Sequence, residues 1–147
     1  MRNSIRKLAG NGGDAPRGCF AGFPTQTKPL TKLNFSHHLV LPSDLNQFGF
    51  LFGGRLLAWV DEASWITASL DFPHCQFVTI GMDRVEFRYG VSEGTILCIC
   101  CKQERKGTTS VTYSVEVTNG KKPHGPPLFS TQITFVSVND QGQKRAI

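Results

Sequence analysis

The sequence predicts an α+β fold in which one long helix packs against an antiparallel sheet. Two patterns carry that expectation. The segment "GRLLAWVDEASWITASL" (54–70) has apolar residues at helical spacing, and Asp71 and Pro73 end it. The rest of the chain then reads almost entirely as strand: "QFVTIGMDRVEFRY" (76–89), "TILCICCKQERK" (95–106), "TTSVTYSVEVTN" (108–119) and "PLFSTQITFVSVN" (127–139). The breaks "GVSEG", "KGT" and "NGKKPHGPP" have turn composition.

Before the helix, "LNFSHHLVLP" (33–42) reads as a strand stopped by Pro42, and "SDLNQFGFLFGG" as a glycine-punctuated loop. The order is therefore β-loop-α-β-β-β-β, and the sheet should pack on the helix. At 147 residues this is one domain. We divide it into a basic N-terminal tail (1–33), a folded domain (34–140) and a C-terminal tail (141–147).

The helix carries more apolar surface than one sheet can cover. At 100° per residue, Leu56, Trp59, Ala63, Ile66 and Leu70 fall on one side. Leu57, Asp61, Ser64, Trp65 and Ala68 fall on another, and Arg55, Glu62 and Ser69 form a narrow polar stripe. Either the sheet wraps around the helix or a second subunit covers what is left. Asp61 is the anomaly, because an unpaired carboxylate on an apolar face is costly to bury. It is either a rim carboxylate satisfied by local hydrogen bonds or a charge that is used. Partial burial would raise its pKa, which suits a base working near neutral pH.

The helix begins at "FGGR". Glycines in a first helical turn let a ligand approach the backbone, and the free N–H groups there favour an anion or a developing oxyanion. By itself a double glycine is equally an ordinary loop-to-helix junction.

Composition excludes several classes. The net charge is +5, but residues 1–37 hold six basic residues and one acid, so the remainder is neutral and not a nucleic-acid surface. No apolar run approaches the roughly 20 residues of a membrane span. The tail contains "GNGGDAPRG" and is expected to be mostly disordered. Its arginines allow a mitochondrial transit peptide as the alternative to a cytoplasmic location. The five cysteines (Cys19, Cys75, Cys98, Cys100, Cys101) lack paired-ligand spacing and read as small buried hydrophobes in a reducing compartment. The four histidines form no ligand set either, and no metal is expected.

The stretch "LPSDLNQFGFLFGGRLLAWVDEAS" resembles the motif of hotdog-fold acyl-CoA thioesterases, in the branch of bacterial and brain-type acyl-CoA hydrolases. Pro42, Asn46, Gly49, Phe52, Gly53, Gly54 and Asp61 all fall in place. "RVEFRYGVSEGTIL" and "KGTTSVTYSVEV" are similar to later strands of the same family, so the likeness covers roughly residues 34–139.

The resemblance implies a hotdog fold, a curved antiparallel sheet wrapped around one long central helix. It implies hydrolysis of acyl-CoA to a fatty acid and CoA with no cofactor. Asn46 and Asp61 are the positions that match the family's functional residues, and there they meet across a homodimer interface. Members of this branch often form a trimer of such dimers. With Gly53 and Gly54 as oxyanion donors, Asp61 is expected to be the general base, or less readily a direct nucleophile. Arg88, Lys106, Thr108, Thr109 and Ser110 are candidates for the CoA phosphates. Each is equally an ordinary solvated strand end.

The chain departs from the family pattern in places. Tyr89-Gly90 stands where a basic residue and proline are common, which puts Arg88 one position early. Gln47-Phe48 is bulkier than usual, and Arg55 replaces an uncharged residue. The rival function is a non-catalytic acyl-CoA-binding hotdog protein, a sensor or scaffold. Loss of Asn46 or Asp61 would have favoured it, and both are present. A hotdog dehydratase would want a histidine between Pro42 and Pro73, where there is none.

Overall fold

The computed structural model describes residues 32–147. Strand β1 (Leu33–Leu39) leads through a 3-10 turn (Pro42–Asp44) and a loop into helix α1 (Gly53–Asp71). Four strands follow: β2 (Gln76–Phe87), β3 (Ile96–Lys106), β4 (Ser110–Asn119) and β5 (Phe129–Val138). The expected tail and Cys19 lie outside the described residues, apart from its last two positions. Leu33 opens β1, and Lys32 Nζ sits 2.8 Å from Asp71 Oδ1.

The five strands form one antiparallel sheet in the order β1-β3-β4-β5-β2. Alternation dictates its two faces. Ile99 pairs with Val117 and Val117 with Phe129, while Tyr113 pairs with Ile133. All of these side chains are fully buried on the helix side. Burying each such side chain contributes roughly 1.5–3 kcal/mol, which makes this row the main source of cohesion. The outward residues between them, such as Glu116 and Gln132, are exposed. Strand β2 slips register against β5 twice, at Thr79/Gly81 and Asp83/Glu86. Arg84 takes a left-handed φ of 54° at the second slip, where Thr131 Oγ1 donates to Asp83 O. Such bulges bend a strand and turn its edge.

Helix α1 meets β2, β3, β4 and β5. It buries Leu56, Val60, Ala63, Ser64, Thr67 and Ala68. Trp65, Ile66 and Leu70 stay 45%, 46% and 64% exposed. The helix is thus covered along one face, not enclosed, because a sheet of one chain reaches only that face. The outer edge strand β2 leaves Val78, Ile80, Val85 and Phe87 exposed as well. Exposed apolar surface of this extent beside an open strand edge marks a contact site.

The far end of the helix is held by a carboxylate. Asp71 lies at a helix C-terminus, where a negative charge is unfavourable. Lys32 offsets it, and the buried Tyr113 hydroxyl donates to Asp71 Oδ2 at 2.9 Å. Burial first, and then Asp71, push the Tyr113 phenol upward, so it remains a donor across the working pH range. Tyr113→Phe should cost about 1–2 kcal/mol by stranding one carboxylate oxygen. Urea unfolding checks this, with the midpoint falling and the slope unchanged.

The segment from residue 141 onward is tied to the sheet. Arg145 N donates to Ser137 O and Ile147 N to Thr108 O, and Ile147 packs against the core. Of the described cysteines, Cys101 is buried and Cys75, Cys98 and Cys100 are half-buried. Burial raises the thiols of Cys98, Cys100 and Cys101, so these three stay protonated and packed.

Candidate active site

The loop before α1 is organised by one side chain. Asn46 Oδ1 accepts from Phe48 N at 2.9 Å and from Phe50 N at 3.1 Å, while Asn46 N donates to Phe50 O at 2.7 Å. Gly49 supplies the φ of 80° that this tight turn requires. Two backbone donors identify the oxygen of the amide, so the nitrogen is the outward group. Asn46 Nδ2 makes no hydrogen bond among the described residues and remains a donor for a ligand.

The helix start lies beside it. Phe52 N donates to Asp44 O, and the first intrahelical bonds run from Arg55 N and Leu56 N to Phe52 O. Gly53 and Gly54 precede them, so their N–H groups are among the unpaired donors every helix start carries. A side chain at either position would crowd a phenyl ring, more severely at Gly54. A Cβ at Gly54 would come within 2.7 Å of the Phe52 ring, and one at Gly53 within 3.2 Å of the Phe87 ring.

Asn46 and Gly53 line the same open cleft, about 380 Å³ in volume. Its apolar lining comes from Leu51, Leu56, Val91 and Leu128 together with Phe50 and Phe87. Arg88 borders it too, but its guanidinium is held at a separate groove on the outer face of the sheet, which it lines with Glu86, Ser130 and Gln132. Arg88 Nη2 meets Glu86 Oε2 at 2.7 Å and Ser130 Oγ at 3.3 Å. At Gly90 the Phe50 ring lies 2.9 Å from where a Cβ would stand, so the Tyr89-Gly90 departure is what admits Phe50.

Asp61 does not line that cleft. It is half-buried two helical turns further along, roughly 10 Å from Gly54, and faces β2. Thr79 Oγ1 donates to its Oδ1 at 2.8 Å. One turn on, Trp65 Nε1 donates to Phe77 O and fixes the helix against the same strand. Within one chain, therefore, the carboxylate and the Asn46–Gly53 donors belong to separate places. Thr79 had no signal in the sequence, since a hydrogen bond between two packed elements follows no spacing rule. Asp44 gives no such signal either. It is buried, its Oδ2 accepts from Leu41 N, and its Oδ1 lies 3.2 Å from Arg55 Nε.

The remaining CoA candidates lie at the opposite end. Lys106 Nζ stands 5.2 Å from the Phe72 ring, just past the helix C-terminus. Thr108, Thr109 and Ser110 continue from it, and Thr109 O accepts from Ser137 N. A 19-residue helix spans roughly 28 Å, so this turn is far from Gly53 of its own chain. Among the described residues there is no cluster of three or more His, Cys, Asp or Glu able to hold a metal, and no helix is long and apolar enough to cross a membrane.

Comparison with known proteins decides the family. The model of the thioesterase superfamily matches residues 48–125, from the second half of the loop through α1 to the turn after β4. The chain belongs to the thioesterase superfamily. Within it, the chain is 32% identical over 114 residues to the acyl-CoA thioester hydrolase YciA of Escherichia coli, covering 74% of this chain and 86% of that one. A hexameric hotdog fold thioesterase of Campylobacter jejuni is 35% identical with a TM-score of 0.67, covering 76% of this chain and 87% of that one. An acyl-CoA hydrolase of Staphylococcus aureus, solved with butyryl coenzyme A and coenzyme A, is 28% identical with a TM-score of 0.67, covering 78% and 68%. The five-stranded antiparallel sheet with one helix is the hotdog fold of these thioesterases. The S. aureus enzyme has also been solved with an asparagine, an aspartate or a threonine replaced by alanine. Its asparagine and aspartate lie fifteen positions apart, the same separation as Asn46 and Asp61 here.

Proposed function

We propose that this thioesterase hydrolyses acyl-CoA to a carboxylic acid and CoA at a site shared by two copies of the chain. The observation that carries the reading is the pinned amide of Asn46. With its oxygen held by two backbone donors, its nitrogen can donate only outward, beside the unpaired N–H groups of the helix start. Donors converging on an apolar cleft suit a carbonyl oxygen that becomes an oxyanion.

The thioester carbonyl lies at the start of α1, with Asn46 Nδ2 and the Gly53 and Gly54 amides on its oxygen. Asp61 of the second copy accepts a proton from water as that water attacks the carbonyl carbon. The tetrahedral intermediate collapses with cleavage of the C–S bond, and the departing thiolate takes up the proton. Thr79 holds the carboxylate with one oxygen occupied, leaving the other for the water. The reaction needs no metal or other cofactor. CoA enters and leaves as part of substrate and product.

Two features support the second copy. Asp61 lies outside its own chain's cleft, and it borders the exposed apolar face made by Trp65 and β2. A two-fold axis presents the same face on both copies and brings each Asp61 to the other's helix start. Arg88 serves the CoA phosphates from the chain that provides the cleft once its guanidinium turns away from Glu86. Lys106, Thr108, Thr109 and Ser110 serve from the partner. Three such dimers would form a hexamer.

Release of free thiol from acyl-CoAs of graded chain length tests the activity. Turnover on any of them supports hydrolysis. Binding of every acyl-CoA without turnover would make the protein a sensor or scaffold.

A further inference from the structure

Asp44 is the only charged side chain among the buried residues described, with 8% of its surface exposed. It touches both halves of the donor arrangement. Its carboxylate accepts from Leu41 N and pairs with Arg55 Nε in the first turn of α1. Its carbonyl accepts from Phe52 N at 2.8 Å, the residue on which the helix opens. Two residues later Asn46 begins the turn that carries the free amide. The segment from Leu41 to Phe52 is thus folded back on itself and fastened to the helix start by one residue.

We propose that Asp44 and Arg55 are positioning residues for hydrolysis, a clamp that sets the Asn46 amide and the Gly53–Gly54 N–H groups at a common point. The inference rests on the proposed thioesterase reading and adds two residues to it. The pair has a second, electrostatic effect. A lone carboxylate beside a helix start would oppose the negative charge that develops on the carbonyl oxygen. The Arg55 guanidinium neutralises it and adds positive charge in the same turn. The cation matters at this position because the carboxylate is buried and poorly screened, even though the Arg55 side chain itself is half exposed.

A clamp of this kind acts on the transition state more than on bound substrate, so its loss appears in kcat. Arg55→Gln keeps a hydrogen-bond donor beside the buried Asp44 carboxylate while removing the charge, and the melt reports what the lost pairing costs in stability. The substitution should lower kcat about tenfold with KM within about twofold of wild type, a modest misplacement of the donors. Arg55→Lys should restore most of the loss. Asp44→Asn should lower kcat similarly, and the Asp44→Asn/Arg55→Gln double variant should lose no more than the worse single one, since both break one unit. Steady-state kinetics on the acyl-CoA that wild type turns over fastest, with a thermal melt for each variant, measure this. Unchanged kcat in Arg55→Gln, a loss that Lys fails to restore, or additive losses in the double variant would overturn the clamp. Failure of wild type itself to release thiol would instead overturn the thioesterase reading.

Discussion

Asp61→Asn should reduce kcat by at least about 100-fold while the protein folds and assembles as before. A positioned general base contributes roughly 10²–10⁴ in rate, and asparagine cannot accept the proton from water. The substitution keeps the shape, and Oδ1 can still accept from Thr79 Oγ1. Loss of fold is therefore not the expected cause of lost turnover, and the thermal melt should move little. Single-turnover thiol release, compared with acyl-CoA binding measured by calorimetry, separates the two quantities. Near-wild-type kcat in Asp61→Asn would remove the carboxylate from the chemistry and leave it a structural partner of Thr79.

Asn46→Asp tests the donors in the opposite sense. The aspartate oxygen still accepts from Phe48 N and Phe50 N, so the turn survives. The free donor disappears, and a carboxylate oxygen takes its place beside the helix start. Loss of one oxyanion donor costs about 10²–10³ in kcat, and the added negative charge should push this change to the upper end. Asn46→Ala differs in kind. It leaves two backbone N–H groups without their acceptor and should lower stability by about 1–2 kcal/mol as well. Asn46→Asp showing lost turnover with an unchanged melt would therefore isolate the donor, and unchanged turnover would exclude it.

Much of the fold was legible because it depends on short-range periodicity. Apolar alternation placed β2 to β5 within two residues of their ends, and the 100° count found the helix from its second residue to its last but one. The count could not say which apolar face of α1 the sheet would take. That depends on the strand order, in which β2 crosses to the far edge beside β5. Asp61 stood out as an acid on an apolar helix face, and the structure gives it a partner that no spacing encodes. Asn46 was named through resemblance, but its role in the turn is local and rests on "NQFGF", where an asparagine side chain caps its own following amides. The polar turn from Lys106 to Ser110 was legible as a turn. Its position at the opposite end of the helix from Gly53 was not, since the lengths and register of β3 and β4 determine it.

The separation of Asp61 from the Asn46 cleft also bears on inheritance of activity within an oligomer. If, as proposed, the site is shared by two copies, each chain contributes one half to each of two sites, and two inactive chains with lesions in opposite halves should rescue one another. A chain with Asp61→Asn keeps a sound donor half, and a chain with Asn46→Asp keeps a sound base. Refolded together in equal amounts, half of the pairs would be mixed, each with one whole site and one doubly damaged one. The mixture should regain about a quarter of wild-type activity from two preparations that have almost none. Complementation of this kind cannot arise from a site contained in one chain.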